Sequence, residues 1–298
     1  MAQTPVWFIT AASSGFGKYM AIEALARGHK VIATARSTSR IADLKEKGAD
    51  TVALDVTWPL EKIEAVTKDV WERYGAINHL VNAAGYILIG AVEETSEYIA
   101  YETFNRPKED YDCFNTNVFG LLNVSKAVLP YLRETKGHRT LSNFGSIGSW
   151  RGGAGYALYS GVKWACSGIS ESMRCELEPL GINVTVIEPG YFRTGFLNAG
   201  TKAISEKRIT AYDETAVGQV RGALDATDNN QPGDVVKGAK ILVDILTKSG
   251  VAEGKEIPVR IALGSDCPPG IREKMKETEA ILSEWDGITM TTDHPKQS

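Results

Sequence analysis

None of the four cysteines, Cys113, Cys166, Cys175 and Cys267, stands in a C-x-x-C pair. The four histidines, His29, His79, His138 and His294, add no zinc-like spacing. This excludes a zinc module, predicts no bound metal, and points to reduced thiols in a cytoplasmic protein. A basic excess is also missing: the formal net charge is -4, without a long run of like charge, so nucleic acid is excluded as a partner. No apolar stretch approaches the roughly 20 residues needed to span a bilayer. The apolar run at 6–9 is too short for a signal-peptide core and no basic residue precedes it, so no secretory segment is expected. The sequons at Asn123 and Asn183 fall in segments that read as regular elements and are taken as chance matches. Internal repeats and low-complexity linkers are absent, which favours a single domain.

What the sequence does contain is a rhythm. Short β-branched runs at 6–10, 30–35, 51–54, 79–82, 139–143, 182–187 and 257–263 read as strands. Longer amphipathic runs at 15–27, 60–74, 109–134, 156–178 and 234–248 read as helices. Such alternation implies an α/β fold, a parallel sheet of about seven strands covered by helices on both faces. Two segments break the pattern. Residues 93–110 are polar and aromatic, with Pro107 inside, and residues 194–233 are rich in small and polar types. Both follow the C-terminal ends of strands, where parallel sheets bind ligands. The second reads as a lid over a pocket, with a surface loop as the plain alternative.

Residues 10–17, Thr-Ala-Ala-Ser-Ser-Gly-Phe-Gly, join the first strand to the first helix. Free N–H groups at a helix start attract anions, and Gly15 and Gly17 allow close backbone approach, so Ser13, Ser14, Gly15, Phe16 and Gly17 form a candidate phosphate turn. The second strand ends at Arg36, where an acidic residue would bind adenosine ribose hydroxyls. A guanidinium there suits a 2′-phosphate and predicts NADPH over NADH; a solvated loop arginine is the alternative. Asp55, with Val56 beside it, is placed to meet an adenine amino group, or simply to start a turn.

Tyr159 and Lys163 are four residues apart and share a helix face. A phenol titrates near ~10, and a neighbouring cation is expected to lower that value so that the phenol exchanges protons with a carbonyl or alcohol. Ser146, just past the fifth strand, can hydrogen-bond the same oxygen or be an ordinary loop serine. Asn117, a poor helix former inside a helix, can hold a water against Lys163 or play a local structural role.

In this order, the turn at 10–17, Asn82-Ala83-Ala84-Gly85, Asn117, Ser146, Tyr159-Ser-Gly-Val-Lys163 and Pro189-Gly190 through Thr194 resemble the short-chain dehydrogenase/reductase family over roughly residues 5–265. The resemblance implies a doubly wound Rossmann-type domain over 1–265 that holds a nicotinamide cofactor. Tyr159 would be the general acid/base, Lys163 its pKa-lowering partner and ribose ligand, Ser146 the carbonyl-orienting group, and Asn117 the end of a water-linked relay. Asn82 and Ala83 would line the cofactor site; Pro189, Gly190, Phe192 and Thr194 would border the nicotinamide. The sequence departs from the pattern at Ala11, where the family has glycine, and over 95–117, which looks longer than usual. Residues 266–298 form an extension whose helix, about 270–285, is expected to pack on the domain, with membrane binding as the alternative.

Trp150, Tyr156, Tyr191 and Phe196, with Phe192 and Leu197 near them, are the candidate substrate residues and suit a bulky lipophilic ketone or alcohol. The expected protein is an NADPH-dependent carbonyl reductase or alcohol dehydrogenase, in the style of microbial secondary metabolism, working as a homodimer or homotetramer on a small molecule. Two alternatives keep the scaffold: isomerisation or cyclisation without redox, and a nucleotide-sensing regulatory module.

Overall fold

Val6–Ile9 alternates its side chains between two cores: Trp7 and Ile9 face one, Val6 and Phe8 the other, and all four are buried. A strand with apolar residues on both sides can only be central and covered twice. The computed structural model, which describes residues 4–96, 108–198 and 202–294, places it there. The strands are β1 (Val6–Ile9), β2 (Lys30–Ala35), β3 (Asp50–Ala53), β4 (His79–Asn82), β5 (Leu88–Ile89), β6 (Thr140–Phe144), β7 (Asn183–Pro189), β8 (Ala203–Ile204) and β9 (Arg260–Leu263). Seven of them form one parallel sheet in the order β3-β2-β1-β4-β6-β7-β9. The chain leaves β1 toward β2 and β3, then returns to the other side of β1 with β4. That reversal opens a crevice at the C-terminal ends of β1 and β4.

One face of the sheet is covered by α1 (Gly15–Ala26), α2 (Ala42–Glu46) and α8 (Val235–Thr247); the other by α3 (Leu60–Tyr74), α5 (Gly120–Glu134) and α6 (Ala157–Leu177). This is the helix-covered parallel sheet that strand–helix alternation predicts, and the single Rossmann-type domain that the family resemblance implies. Val56 is buried against Gly120, where an added Cβ would lie 2.7 Å from a Val56 methyl. Gly120 is therefore fixed by helix–loop packing.

Three features differ from the sequence reading, and a fourth lies mostly outside the described residues. The helix expected over 109–134 is α4 (Glu109–Phe114) and α5 joined by a π-helical turn, Asn115–Phe119. Segment 194–233 is no structureless loop: it contains β8, which pairs with β5 in a small two-stranded sheet, and α7 (Ala216–Thr227), capped by the Thr215 hydroxyl on Val217 N. Most of segment 93–110, including Pro107, lies outside the described residues. The last helix, α9 (Cys267–Thr289), starts at Pro268-Pro269, which suit a first turn, and runs about 35 Å. It does not lie along the domain. Only Cys267 and Ile271 are buried in it, and every residue from 275 to 294 is exposed.

Candidate active site

A cavity of about 590 Å³ opens at the C-terminal ends of the central strands, between the β1–α1 turn and α7. Its floor is the turn. Ser14 is the extended N-cap of α1 and its side chain caps nothing, so the first N–H groups of that helix are uncapped. Gly15 sits at φ +53° and Ala11 at φ +50°. A Cβ on Gly17 would lie 2.9 Å from the Ala11 carbonyl, so the helix approaches the turn as only glycine allows. Ala11, Ser14, Gly15, Phe16 and Gly17 line the cavity; Ser13 does not. Behind the turn, Phe16 packs on Phe144 and, edge-on, on Phe192, with centroids 5.4 and 5.0 Å away.

Past β2, Arg36 is exposed and carries no ion pair among the described residues; Ser37, Ser39 and Arg40 follow it as exposed polar groups. Asp55 is held in a turn, accepting from Thr57 N at 3.0 Å and Thr57 Oγ1 at 2.8 Å. Any contact Val56 makes to a nucleotide runs through its backbone, because its side chain is in the core. Asn82 is also buried: its amide donates to Ser125 Oγ at 3.0 Å and Asn143 Oδ1 at 2.9 Å, tying β4 to β6 and α5. Ala83 lines the cavity and its N–H donates to Thr10 Oγ1.

α6 carries Tyr159 and Lys163 on its inner face, one turn apart. Lys163 is buried and donates to the Phe144 carbonyl at 2.9 Å. Its ammonium stands 5.8 Å from the Tyr159 ring centre. Ser146 sits in a tight turn after β6, its hydroxyl accepting from Gly148 N at 3.0 Å. Tyr159, Lys163 and Ser146 all line the cavity. Asn117 does not reach it. The π turn aims its side chain at the same point from behind: the amide donates to the Cys113 carbonyl at 2.9 Å, while Oδ1 is buried without a partner. A Cβ on Gly85 would touch that Oδ1 at 2.5 Å and Lys163 Nζ at 3.3 Å, so Gly85 leaves the two side chains room beside each other.

The electrostatics correct one expectation. Burial raises the Tyr159 pKa above the ordinary phenol value, and a hydrogen bond from Ser146 opposes the rise without cancelling it. Burial likewise lowers the Lys163 pKa. Lys163 spends its nearest contact on a carbonyl, not on the phenol oxygen, so in the protein alone desolvation dominates.

The proposed substrate residues divide. Tyr156, Tyr191 and Phe196 line the cavity, and Phe196 packs on Tyr159 with centroids 5.9 Å apart. Trp150 does not line it. Its indole N–H donates to the buried Glu188 at 2.7 Å, and Arg260 lies 4.6 Å over its ring, so it braces β7 and β9. Several lining residues carry no signal in the motif pattern. Ala216, Val220 and Leu224 come from α7; their helical spacing after Thr215 is readable in retrospect. Gln231 is 2% exposed, and its Oε1 has no hydrogen-bond partner. Pro189, Gly190, Phe192 and Thr194 complete the wall. Gly190 has no room for a side chain because the Asp266 carboxylate, which accepts from Tyr191 N at 2.7 Å, fills that space.

A sequence profile described as short chain dehydrogenase matches residues 5–204. The chain belongs to the short-chain dehydrogenase family. An oxidoreductase of Botryotinia fuckeliana, BOA17, is 34% identical over 294 residues, spanning 97% of this chain and 99% of that one. A 3-ketodihydrosphingosine reductase of Bacteroides thetaiotaomicron is 35% identical over 214 residues, 71% of each chain. The crystal structure of a short-chain dehydrogenase from Streptomyces avermitilis superposes with a TM-score of 0.84 at 36% identity, covering 98% of this chain and all of that one. The protein is thus an NAD(P)-dependent oxidoreductase of the short-chain class. In such an enzyme the uncapped start of α1, the Gly15–Gly17 floor and the cavity reaching Tyr159 fit a dinucleotide. Among the described residues no helix is long and apolar enough to cross a membrane, and no cluster could hold a metal ion.

Proposed function

We propose that the protein is an NADPH-preferring carbonyl reductase for a bulky, largely apolar ketone, with Tyr159 as the proton donor. One observation carries this reading: the Tyr159 phenol stands beside Ser146 and Lys163 in a cavity whose lining includes the apolar group Ile87, Tyr156, Phe196, Leu197, Val220 and Leu224. The phenol is protonated at neutral pH, the state needed to give a proton to a carbonyl oxygen. Ser146 holds that oxygen, and Lys163 fixes the geometry behind the phenol. When bound, the nicotinamide supplies the hydride. Asn117 Oδ1, buried and unpartnered beside Lys163, is suited to hold a water against Lys163, and that water would carry a proton back toward Tyr159. Gln231 Oε1, an acceptor without a protein partner on the cavity wall, suits a ligand carrying an N–H or O–H. The 3-ketodihydrosphingosine reductase among its relatives, named for a ketone with a long apolar chain, supports the substrate class. Four free cysteines suit the reducing cytoplasm.

Tyr159→Phe should keep NADPH affinity within about twofold, by fluorescence titration, and lower turnover by roughly 10³-fold or more. Turnover near that of the parent would refute Tyr159 as the acid. Because a general acid must be protonated, ketone reduction should stay level through neutral pH and decline only above about 10. Arg36→Ala tests the cofactor preference: binding of NADPH should weaken at least tenfold while NADH changes little. Equal losses for both would show that Arg36 does not read the phosphate.

A further inference from the structure

We infer that α9 is a self-association element: it pairs antiparallel with α9 of a second copy of this chain. From Met275 to its end every residue of this helix is exposed, yet its surface is not that of a solvated helix. Met275, Ile281, Leu282, Trp285 and Ile288 are each more than half exposed, and Met290 is 73% exposed. At about 100° per residue the first five fall on one arc of about 140°, centred on the line through Thr278 and Trp285. A free helical stretch of this length is marginal in water unless its apolar stripe is covered. The body of the domain does not cover it, for residues 275–294 are exposed on every face.

Charge selects the occupant. Residues 272–276 hold three cations, Arg272, Lys274 and Lys276, against Glu273 alone. Residues 277–286 hold four carboxylates, Glu277, Glu279, Glu284 and Asp286, and no cation. A parallel pair would set acidic half on acidic half. An antiparallel pair sets the acidic half of each copy along the basic half of the other, and the contact closes as a two-fold dimer. With the crossing near Ala280, Met275 meets Trp285 of the second copy and Thr278 meets Leu282. Covering the five stripe side chains in both copies removes on the order of 1,000 Å² of surface, near the lower edge for a specific interface. The acidic excess argues against an anionic membrane as the occupant.

The pairing also bears on the cavity. Arg151 lines the cavity mouth and bonds Glu273 at 3.0 Å in the second turn of α9. The free end of the second copy's helix would come down beside that turn. Dimerisation would then border the entrance without adding a group to the chemistry.

Sedimentation equilibrium of the full-length protein tests this. The parent should be a dimer at micromolar concentration. Ile281→Glu/Trp285→Glu should raise the dissociation constant by roughly 100-fold, with unchanged circular dichroism and NADPH binding. Two charge-reversed forms, Lys274→Glu/Lys276→Glu and Glu279→Lys/Glu284→Lys/Asp286→Lys, should each dissociate alone and form a mixed dimer when combined. A monomeric parent would overturn the proposal. So would a parent whose assembly ignores Ile281→Glu/Trp285→Glu, which would move the contact to a surface such as that around Phe119 and Trp164. Charge-reversed forms that fail to pair would overturn the antiparallel arrangement. Monomeric protein that sediments with neutral phosphatidylcholine vesicles would make the stripe a lipid anchor instead.

Discussion

Ala11 adopts φ +50° in the turn that forms the cavity floor. An L-residue with a Cβ is strained there by about 1–2 kcal/mol, against a smaller entropic penalty for glycine in the unfolded chain. Ala11→Gly should therefore stabilise the protein by about 0.5–1 kcal/mol in urea unfolding. A loss of stability would mean that the Ala11 methyl makes packing contacts worth more than the strain. The sequence marks this position only by comparison with a family pattern, because no composition or spacing rule reports a dihedral angle. Tyr159, Lys163 and Ser146 were legible for the opposite reason: their order relative to the strands fixes where they end up. Trp150 was misread because it follows the same strand as Ser146. What turns it from the cavity is Glu188, a buried carboxylate 38 residues away that takes its N–H. The direction of the Tyr159 pKa was misread as well. Spacing shows that a cation shares the helix face, but not that it donates to Phe144 or that the phenol is desolvated.

At the scale of elements, the sheet was legible because each strand is an apolar run with its own turn signals. α7 was not, since Ala216, Gly218, Gly222 and Ala223 dilute the helical pattern with small residues. Gly218 is required there: a Cβ would run into the Asp213 carbonyl at 1.9 Å. One face of α7 lines the cavity, and Arg221 anchors the helix by pairing with Glu94 in the loop after β5. Glu94 is fully buried and also accepts from Ile209 N at 2.9 Å and Ala91 N at 2.7 Å. Burial raises its pKa, but Arg221 and these N–H groups outweigh it and hold the carboxyl below its usual range. Arg221→Ala leaves that charge without its counter-ion, which should cost about 3 kcal/mol. It should also raise KM for a bulky ketone several-fold while NADPH binding is unchanged. Glu94→Gln/Arg221→Met, which removes both charges, should recover much of the stability. If KM for the ketone stays put in both variants, α7 does not shape the substrate end of the cavity.

Across the whole molecule, the chemistry sits at the C-terminal edge of the sheet and a histidine cluster sits near the opposite edge. Trp7 donates to His29 Nδ1 at 3.0 Å and packs on His79 with centroids 4.3 Å apart; His79 shares a 2.8 Å hydrogen bond with Thr140, and His138 bonds the Leu246 carbonyl of α8 at 2.7 Å. Burial pushes the His79 pKa well below 6.5, with His138 and His29 adding to it; burial and Arg27 lower that of His29. Protonating His29 at Nδ1 would also forfeit the bond from Trp7. Well above pH 6.5, His29 and His79 are neutral both folded and unfolded, so stability does not vary with pH through them. Below 6.5 the unfolded chain takes up protons that the folded protein refuses. Stability should then fall by up to about 1.4 kcal/mol per pH unit for each of His29 and His79 until its folded pKa is reached. Urea midpoints measured between pH 7.5 and pH 5 should show this slope. His79→Phe/Thr140→Val removes one titrating group together with its polar partner and should flatten the slope without lowering kcat at pH 7.5. An unchanged slope in that variant would assign the acid sensitivity elsewhere, whereas a flatter one would place it in this cluster, at the edge of the sheet away from the chemistry.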